Sequence, residues 1–158
     1  MANINDINVK INKVNFVCRS CAVIRDGDRV LFQKRKNDKY YALPGGKIEV
    51  LETVEDALKR ELLEELGVEV EMKNFFSAVE NFFEFNGEKV HQYIFSYEVA
   101  LLDDKYIYLE EFDGIEKDKD VIFKWFNIND LNVEFIKPDY IVNQLKNKEK
   151  NMFFTCKG

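Results

Sequence analysis

Residues 45–68, GGKIEVLETVEDALKRELLEELGV, combine a glycine turn, a capped helix and a cluster of acidic side chains. Thr53 is a suitable N-cap residue, with Asp56 three positions later in a loose capping-box arrangement. Gly67 stands where a left-handed glycine would end the helix. The stretch therefore predicts a helix from about Val54 to Leu66.

This predicted helix has acidic side chains on its apolar side. At about 100° per residue, three acids fall in line with three apolar residues. The acids are Glu61, Glu64 and Glu65, and the apolar residues are Val54, Ala57 and Leu58. Crowded, partly buried carboxylates repel one another and resist ionisation, so we expect a cation among them. For three acids alone, an ordinary surface helix rich in Glu and Lys would be the better interpretation.

Hard divalent ions such as Mg²⁺ take oxygen ligands, usually a few carboxylates together with water and substrate phosphate. Positions i, i+3 and i+4 bring Glu61, Glu64 and Glu65 to one turn of the helix. The preceding glycines, Gly45 and Gly46, allow the backbone to approach the same ion closely. The stretch is therefore a candidate metal site.

The complete spacing of this stretch is more specific than its acids. Counting from Gly46, the pattern G-x5-E-x7-R-E-U-x-E-E-x-G-U, in which U is a bulky apolar residue, is filled at every defined position. The residues are Gly46, Glu52, Arg60, Glu61, Leu62, Glu64, Glu65, Gly67 and Val68. The stretch closely resembles the Nudix box of the MutT-like Nudix hydrolase superfamily.

This resemblance implies an α/β fold, the Nudix α/β/α sandwich, in which a mixed sheet lies between helices and the box forms a loop-helix-loop at the active site. It implies metal ligands at the Gly45 carbonyl, Glu61, Glu64 and Glu65, for Mg²⁺ or Mn²⁺. The implied catalytic residues are Glu52, Arg60, Glu61 and Glu64. Among these, Glu64 is closest to the attacking water, and Arg60, paired with Glu52, orients the carboxylates.

Further candidate site residues lie outside the helix. The resemblance suggests Arg35, Tyr41 and Glu49 as substrate contacts, although a surface cation and loop packing are the plain alternatives for the first two. Nudix enzymes commonly add an acid from outside the box, as a metal ligand or general base. Within the acidic stretch 103–120 we rank Glu110 and Glu111 ahead of Glu116, against the alternative of a solvated loop.

The composition indicates a single domain over residues 1–158, with a core at about 12–147 and flexible ends. The chain has 158 residues and is 46% hydrophobic, and its net charge of −6 offers no general attraction to nucleic acid or an anionic membrane. No secretory signal or long apolar run is visible, so we expect a cytoplasmic protein. The three cysteines lack paired spacing, which makes a disulfide framework unexpected.

Strand patterns lie on both sides of the predicted helix and indicate an α/β or α+β domain. Residues 14–24 and 29–35 flank Asp26-Gly27 and predict a hairpin, and Asn86-Gly87 predicts a second hairpin. Residues 121–127 form another expected strand. Pro138 suits the first turn of a helix to about Lys146, after which we expect a frayed tail.

The activity implied by the resemblance is divalent-metal-dependent hydrolysis of a phosphoanhydride bond in a nucleoside diphosphate linked to another group. Such substrates include (d)NTPs, nucleotide sugars and ADP-ribose. The alternative is a non-catalytic nucleotide sensor on the same scaffold, although such proteins tend to have a damaged box. The segment after Val68 has no proline before Pro138, which argues against one subgroup of ADP-ribose pyrophosphatases. Homodimerisation is left open.

Overall fold

A computed structural model describes residues 5–148 and 152–158. The strands are β1 (Asn8–Ile11), β2 (Val14–Val23), β3 (Arg25–Asp26), β4 (Arg29–Arg35), β5 (Gly45–Lys47), β6 (Val70–Phe85), β7 (Glu88–Leu101), β8 (Glu111–Asp113), β9 (Val121–Asn127) and β10 (Phe153–Lys157). The helices are α1 (Val54–Leu66) and α2 (Tyr140–Asn147), with a 3₁₀ turn at Ile128–Asp130. In the part of the chain described, neither helix is long and apolar enough to cross a bilayer.

The described strands form two sheets. The larger has six strands in the order β1-β2-β7-β6-β10, with β5 also paired to β2, and the smaller has the order β3-β4-β9-β8. The larger sheet is mixed, because β2 runs parallel to β7 whereas β6 and β7 form an antiparallel hairpin. The predicted mixed α/β architecture is confirmed.

Helix α1 begins and ends where the sequence predicts. The hydroxyl of Thr53 accepts a hydrogen bond of 3.0 Å from the backbone N–H of Asp56. Gly67 adopts a left-handed conformation with φ of 67° and donates its N–H to the carbonyl of Leu63. These two caps satisfy backbone groups that the ends of a helix otherwise leave without partners.

Two hydrophobic cores hold the sheets and helices together. At the end of β2, Cys21 and Val23 join the core under α2, whereas Ala22 and Ile24, the residue that follows the strand, join the core under α1. This alternation follows from the two-residue period of a strand. The apolar side of α1 supplies the second core with Leu58, Leu62 and Leu66, all fully buried. The acids of α1 are thereby held at a fixed height above the larger sheet.

The predicted hairpin between residues 14–24 and 29–35 forms only next to its turn. The turn exists, but only the short β3 pairs with β4, through Arg25 with Val30 and Asp26 with Arg29. Strand β2 belongs to the larger sheet and β4 to the smaller one. The chain changes sheets at Ile24, which sequence periodicity could not indicate because both strands are buried on two sides.

The C-terminal region also differs from expectation. Helix α2 begins at Tyr140, two residues after Pro138. Part of the predicted frayed tail, residues 149–151, lies outside the described residues. Beyond it, Phe153–Lys157 form β10, which pairs in parallel with β6. The aromatic ring of Phe154 stacks on Tyr140 with ring centroids 4.9 Å apart, so apolar packing favours the strand over a solvated tail.

We expect Gly67→Ala to lower the free energy of unfolding by about 1 to 2 kcal/mol, because an L residue is strained at this positive φ. The added Cβ would also lie 2.8 Å from Cδ1 of Ile115, whose side chain must shift. The matched control is Gly27→Ala, since Gly27 has φ of 57° with no atom within 4 Å of its Cβ position. Urea unfolding gives the free energy of unfolding of both variants. The loss in Gly27→Ala reports backbone strain alone, and the loss in Gly67→Ala reports backbone strain together with the contact with Ile115. An unchanged Gly67→Ala protein would contradict the capping role.

Candidate active site

The glycine turn sits tightly between β2 and α1. Gly45 pairs with Cys21, and Gly46 pairs with Ser20. A Cβ at Gly45 would lie 1.9 Å from the carbonyl oxygen of Ser20, and one at Gly46 would lie 2.2 Å from Cδ of Glu61. Only glycine therefore fits at Gly45, where the contact is with the backbone, whereas at Gly46 the Glu61 carboxylate occupies the space that the glycine leaves open.

Arg60 is the centre of a charged network on the side of α1. Its Nε and Nη2 donate to the two carboxylate oxygens of Glu52 at 2.7 and 2.9 Å. Its Nη1 donates to Oε1 of Glu61 at 3.0 Å, and Nη2 also donates to the carbonyl of Lys47 at 3.1 Å. These hydrogen bonds hold the pKa of Glu52 below its usual range. Arg60 thus ties the glycine turn to one of the buried acids.

Glu61 and Glu65 are buried acids with unused oxygens. They are only 5% and 4% exposed, and Oε2 of each lacks a hydrogen-bond partner among the described residues. Burial, followed by the neighbouring Glu61 carboxylate, raises the pKa of Glu65 to about 8. A pair of buried carboxylates with oxygens that accept no hydrogen bond favours binding of a cation.

Glu64 has a different environment from its two neighbours on α1. Its side chain is 43% exposed, and its Oε2 lies 3.6 Å from Nη1 of Arg60. Burial and the charge of Glu61 together raise its pKa above the ordinary value. Glu64 is the acid of the three that solvent can reach.

Lys119, which sequence analysis did not single out, supplies a cation to this cluster. Its Nζ lies 3.8 Å from Oε2 of Glu61, 3.8 Å from Oε1 of Glu65 and 3.4 Å from Oε2 of Glu116. The loop that carries it is anchored on α1, because the N–H of Ile115 donates to the carbonyl of Glu65. No local pattern in the sequence distinguishes this lysine from the other charged residues of its loop.

The acids open into a large cleft of about 1230 Å³ between the two sheets. Its walls include both glycines, the acids of α1 and several side chains from β6 and β7. Basic side chains from separate parts of the chain also line it: Arg19, Lys34, Arg35, Lys47, Arg60, Lys119, Lys137 and Lys157. Among the described residues, eight acidic side chains line it as well: Asp6, Asp38, Glu61, Glu64, Glu65, Glu84, Glu116 and Asp139. The cleft is therefore formally neutral, in a protein of net charge −6.

The structure separates the three predicted substrate contacts. Arg35 lines the cleft, but Tyr41 does not; its neighbour Tyr40 lies there instead. The ring of Tyr41 packs edge-on against Phe126 with centroids 5.0 Å apart. Glu49 lies behind the cleft, where its Oε1 is 4.0 Å from Nε of Arg60.

The candidate acids outside the box are also separated. Glu110 and Glu111 are exposed and do not line the cleft. Glu116, ranked below them from sequence, lines the cleft and joins the lysine that contacts Glu61 and Glu65. Its Oε2 has no hydrogen-bond partner in the described chain. The fold of the loop, which the sequence did not reveal, places Glu116 in the cleft and keeps Glu110 and Glu111 out of it.

The donor set at the acids suits a hard divalent cation, which prefers carboxylate and carbonyl oxygens. Oε2 of Glu61 and of Glu65 accept no hydrogen bond in the described part of the chain, and the Gly46 position leaves room for the Glu61 carboxylate. As the side chains stand in residues 5–148 and 152–158, no three carboxylate, imidazole or thiol groups are arranged to hold a metal ion. Instead, Arg60 forms ion pairs with Glu61 and Glu64, and Lys119 forms ion pairs with Glu61 and Glu65.

A mixed sheet between two helices, with a glycine turn against an acid-rich helix, is the architecture that the sequence led us to expect of a Nudix hydrolase. The family model of the NUDIX domain matches residues 15–145. The chain therefore belongs to the NUDIX domain family, and the resemblance found in the sequence is confirmed.

Individual relatives agree with this assignment. An ADP-ribose pyrophosphatase of Methanocaldococcus jannaschii is 42% identical over 59 residues, a segment that spans 35% of this chain and 35% of that protein. The crystal structure of a MutT NUDIX hydrolase from Burkholderia pseudomallei is 27% identical, with a TM-score of 0.60 over 83% of this chain and 96% of the other. An ADP-ribose pyrophosphatase from Streptococcus suis shares the fold at 16% identity, with a TM-score of 0.58 over 89% and 98% of the two chains.

We expect Lys119→Met to lower the melting temperature of the protein in chelator, by the equivalent of about 1 to 2 kcal/mol, because the cluster of acids loses its ammonium. Protonation of Glu65 relieves part of the repulsion and limits the loss. Added Mg²⁺ should raise the melting temperature of this variant more than that of the wild type. Differential scanning fluorimetry with chelator and with Mg²⁺ measures both effects.

Lys36→Met is the matched control for this prediction. Lys36 pairs with the exposed Asp113 and Asp120, away from the cleft, and exposed pairs contribute little. Equal losses in the two variants would show that Lys119 is an ordinary surface lysine.

Proposed function

We propose that this protein hydrolyses a phosphoanhydride bond in a nucleoside diphosphate linked to another group, with Mg²⁺ or Mn²⁺ as cofactor. The observation that carries the proposal is the buried pair of acids, Glu61 and Glu65, each with an oxygen that accepts no hydrogen bond from the described residues. Two buried carboxylates so close to each other are destabilising unless a cation joins them. The intact Nudix box and the family assignment support the same conclusion.

The residues that would hold the cation are Glu61, Glu64, Glu65 and the carbonyl of Gly45, with Glu116 as the additional acid from outside the box. The basis for preferring Glu116 to Glu110 and Glu111 is its position in the cleft. A divalent cation, when bound, supplies neutralisation of the diphosphate charge and a water of lowered pKa. Arg60 and Glu52 act behind these acids and fix the orientation of Glu61.

Glu64 is the residue that we place beside the attacking water. It is the most exposed of the three acids on α1, and its pKa, raised by burial and by the charge of Glu61, makes the carboxylate a better proton acceptor. In the reaction the water oxygen forms a bond to phosphorus while the anhydride P–O bond breaks. The proton of the water goes to the carboxylate. The leaving group departs as a phosphate that keeps the bridging oxygen, and the other product carries the oxygen of the water.

The cations among the charged residues of the cleft explain how an acidic protein could bind a polyanion. Arg35 and Lys34 stand at one wall and Lys137 contributes from the loop before α2. Point charges and guanidinium groups of this kind bind phosphate oxygens. We expect them to orient the diphosphate, with Lys119 released from the acids to contact it.

The substrate class is tested with a panel of nucleoside triphosphates, nucleotide sugars, dinucleoside polyphosphates, NADH and ADP-ribose. ADP-ribose is included because two relatives carry that activity in their names. Product release is measured with Mg²⁺, with Mn²⁺ and with chelator. Release that depends on the cation and favours one class supports the proposal and identifies the substrate.

Two other outcomes count against the proposal. Hydrolysis that persists undiminished in chelator would remove the role of the metal. Nucleotide binding without turnover of any compound, seen by calorimetry on a correctly folded protein, would favour a nucleotide sensor on a Nudix scaffold.

A further inference from the structure

We infer that Asn81 and Gln92 recognise the nucleobase of the substrate through its hydrogen-bonding edge. This inference rests on the proposed function, because it names the part of a nucleotide that the cleft selects. Both residues line the cleft, and each is only 9% exposed. Neither belongs to the Nudix box.

The two carboxamides lie side by side on neighbouring strands. Asn81 of β6 is the direct partner of Gln92 of β7, and partners across a ladder point to the same face. Nδ2 of Asn81 donates to Oε1 of Gln92 at 3.3 Å. That bond uses one donor and one acceptor, whereas two carboxamides offer four N–H donors and two carbonyl oxygens.

The surroundings of the pair are mainly apolar. Its row across the sheet continues to Cys156 on one side and Val17 on the other. Phe83 and Ile94 stand two residues away on the same face and also line the cleft. Burying amide groups among apolar side chains is costly unless their hydrogen bonds are made. Both carboxamide residues line the cleft, so a ligand that enters it can bind the amide groups that their mutual bond does not use.

The pair is also at a suitable distance from the reaction centre. Gly45 pairs with Cys21, which pairs with Ser96, so the glycine turn and Ser96 share one row of the larger sheet. Gln92 lies four residues from Ser96 along β7, or roughly 13 Å at the rise of a strand. A nucleoside whose diphosphate lies at the acids can extend along the strand to this position. Arg19, in the row between them, is a cation for the intervening phosphate or ribose.

The chemistry of the pair matches a nucleobase better than a sugar or a second phosphate. A carboxamide presents an N–H donor beside a carbonyl acceptor, the arrangement that pairs with donor and acceptor atoms on a base edge. The aromatic ring of Phe83 offers an adjacent apolar surface for the flat faces of the base. Neither Asn81 nor Gln92 carries a charge that would favour a phosphate.

The test measures kcat/KM for ADP-ribose and for its base-free counterpart, di(5-ribosyl) diphosphate, in the wild type and in Gln92→Leu and Asn81→Leu. We expect each variant to lose on the order of 10- to 100-fold in kcat/KM for ADP-ribose, because its base contacts are lost. The value for the base-free compound should change little. An equal fall for both compounds, or no fall, would overturn the inference.

Gln144→Leu is the matched control. Gln144 is a buried carboxamide on α2 that donates to the carbonyl of Phe76 and does not line the cleft. Its loss should lower the melting temperature without changing the ratio of the two kcat/KM values. A ratio that changes as much in this variant as in Gln92→Leu would show that the effect is structural.

A second measurement separates the failure of this inference from the failure of the proposed function. Isothermal titration calorimetry with AMP, GMP, CMP and UMP needs no turnover. Binding that Gln92→Leu weakens and Gln144→Leu does not would support base recognition even in a protein without hydrolase activity. Hydrolysis of nucleotides with equal binding of all four in every variant would overturn the inference and leave the activity intact.

Discussion

Glu64→Gln should lower kcat by about 10²- to 10⁴-fold while the protein stays folded, because the carboxylate that we propose accepts a proton from water is replaced by a neutral amide. The side chain is 43% exposed and its ion-pair contact with Arg60 is 3.6 Å long, so its contribution to stability is small. Steady-state kinetics with the substrate found in the panel gives kcat and KM separately. We expect the change to fall on kcat, with KM altered much less.

The control for this variant is Glu55→Gln. Glu55 lies in the first turn of the same helix, is exposed and does not line the cleft. The two substitutions are chemically identical, so a charge effect on the whole helix would appear in both. Retention of full activity in Glu64→Gln would assign the proton-accepting role to another group, with Glu116 as the next residue to replace.

Substitutions in the glycine turn should give the second large effect. Replacing Gly46 should mainly reduce activity, whereas replacing Gly45 should mainly reduce stability. Gly46→Ala places a Cβ 2.2 Å from the carboxyl carbon of Glu61, a flexible side chain that can move away. We expect this variant to fold with a modest loss of stability but to lose most of its activity and Mg²⁺ binding. Gly45→Ala places a Cβ 1.9 Å from the backbone carbonyl of Ser20, at a φ of 150°. It should lose about 3 kcal/mol or more of unfolding free energy.

Urea unfolding, Mg²⁺ titration by calorimetry and kinetics on both variants separate these effects. Gly87→Ala serves as the reference, since Gly87 also has a positive φ but has nothing within 4 Å of its Cβ position. If Gly46→Ala retained activity and Mg²⁺ affinity, the position of the Glu61 carboxylate would not matter for the reaction. If Gly45→Ala were as stable as Gly87→Ala, the close approach to β2 would be unimportant.

Local rules of the chain were sufficient for the helix that carries the acids. The N-cap at Thr53, the left-handed Gly67 and the apolar spacing between them fixed α1 at the predicted residues, Val54–Leu66. The Nudix spacing also indicated that Arg60 pairs with Glu52, and the structure brings the two into contact. Each of these features depends on residues within about one helix length of sequence, where spacing determines geometry.

The tertiary structure alone decided which distant residues reach this helix. Glu116 and Lys119 lie near the acids because their loop is anchored on Glu65. Nothing in the sequence of the loop distinguishes Glu116 from Glu110 and Glu111. Tyr41 lies outside the cleft because its ring packs on Phe126, which belongs to a distant strand. Contacts of this type depend on how separate segments pack, and packing carries no fixed sequence spacing.

The strand pairings also divide into those that the sequence predicts and those that only the tertiary structure shows. The hairpin at Asn86-Gly87 is fixed by its turn and was predictable, and it places Asn81 opposite Gln92. The pairing of β2 with β7, the change of sheet at Ile24 and the return of β10 to the edge of β6 each join segments far apart in the chain. The sequence by itself therefore determined the helix, its caps and the acids of the candidate site. Which residues line the cleft was decided only by the tertiary structure. The walls of the cleft come from separate elements, and burial of the two hydrophobic cores brings those elements together.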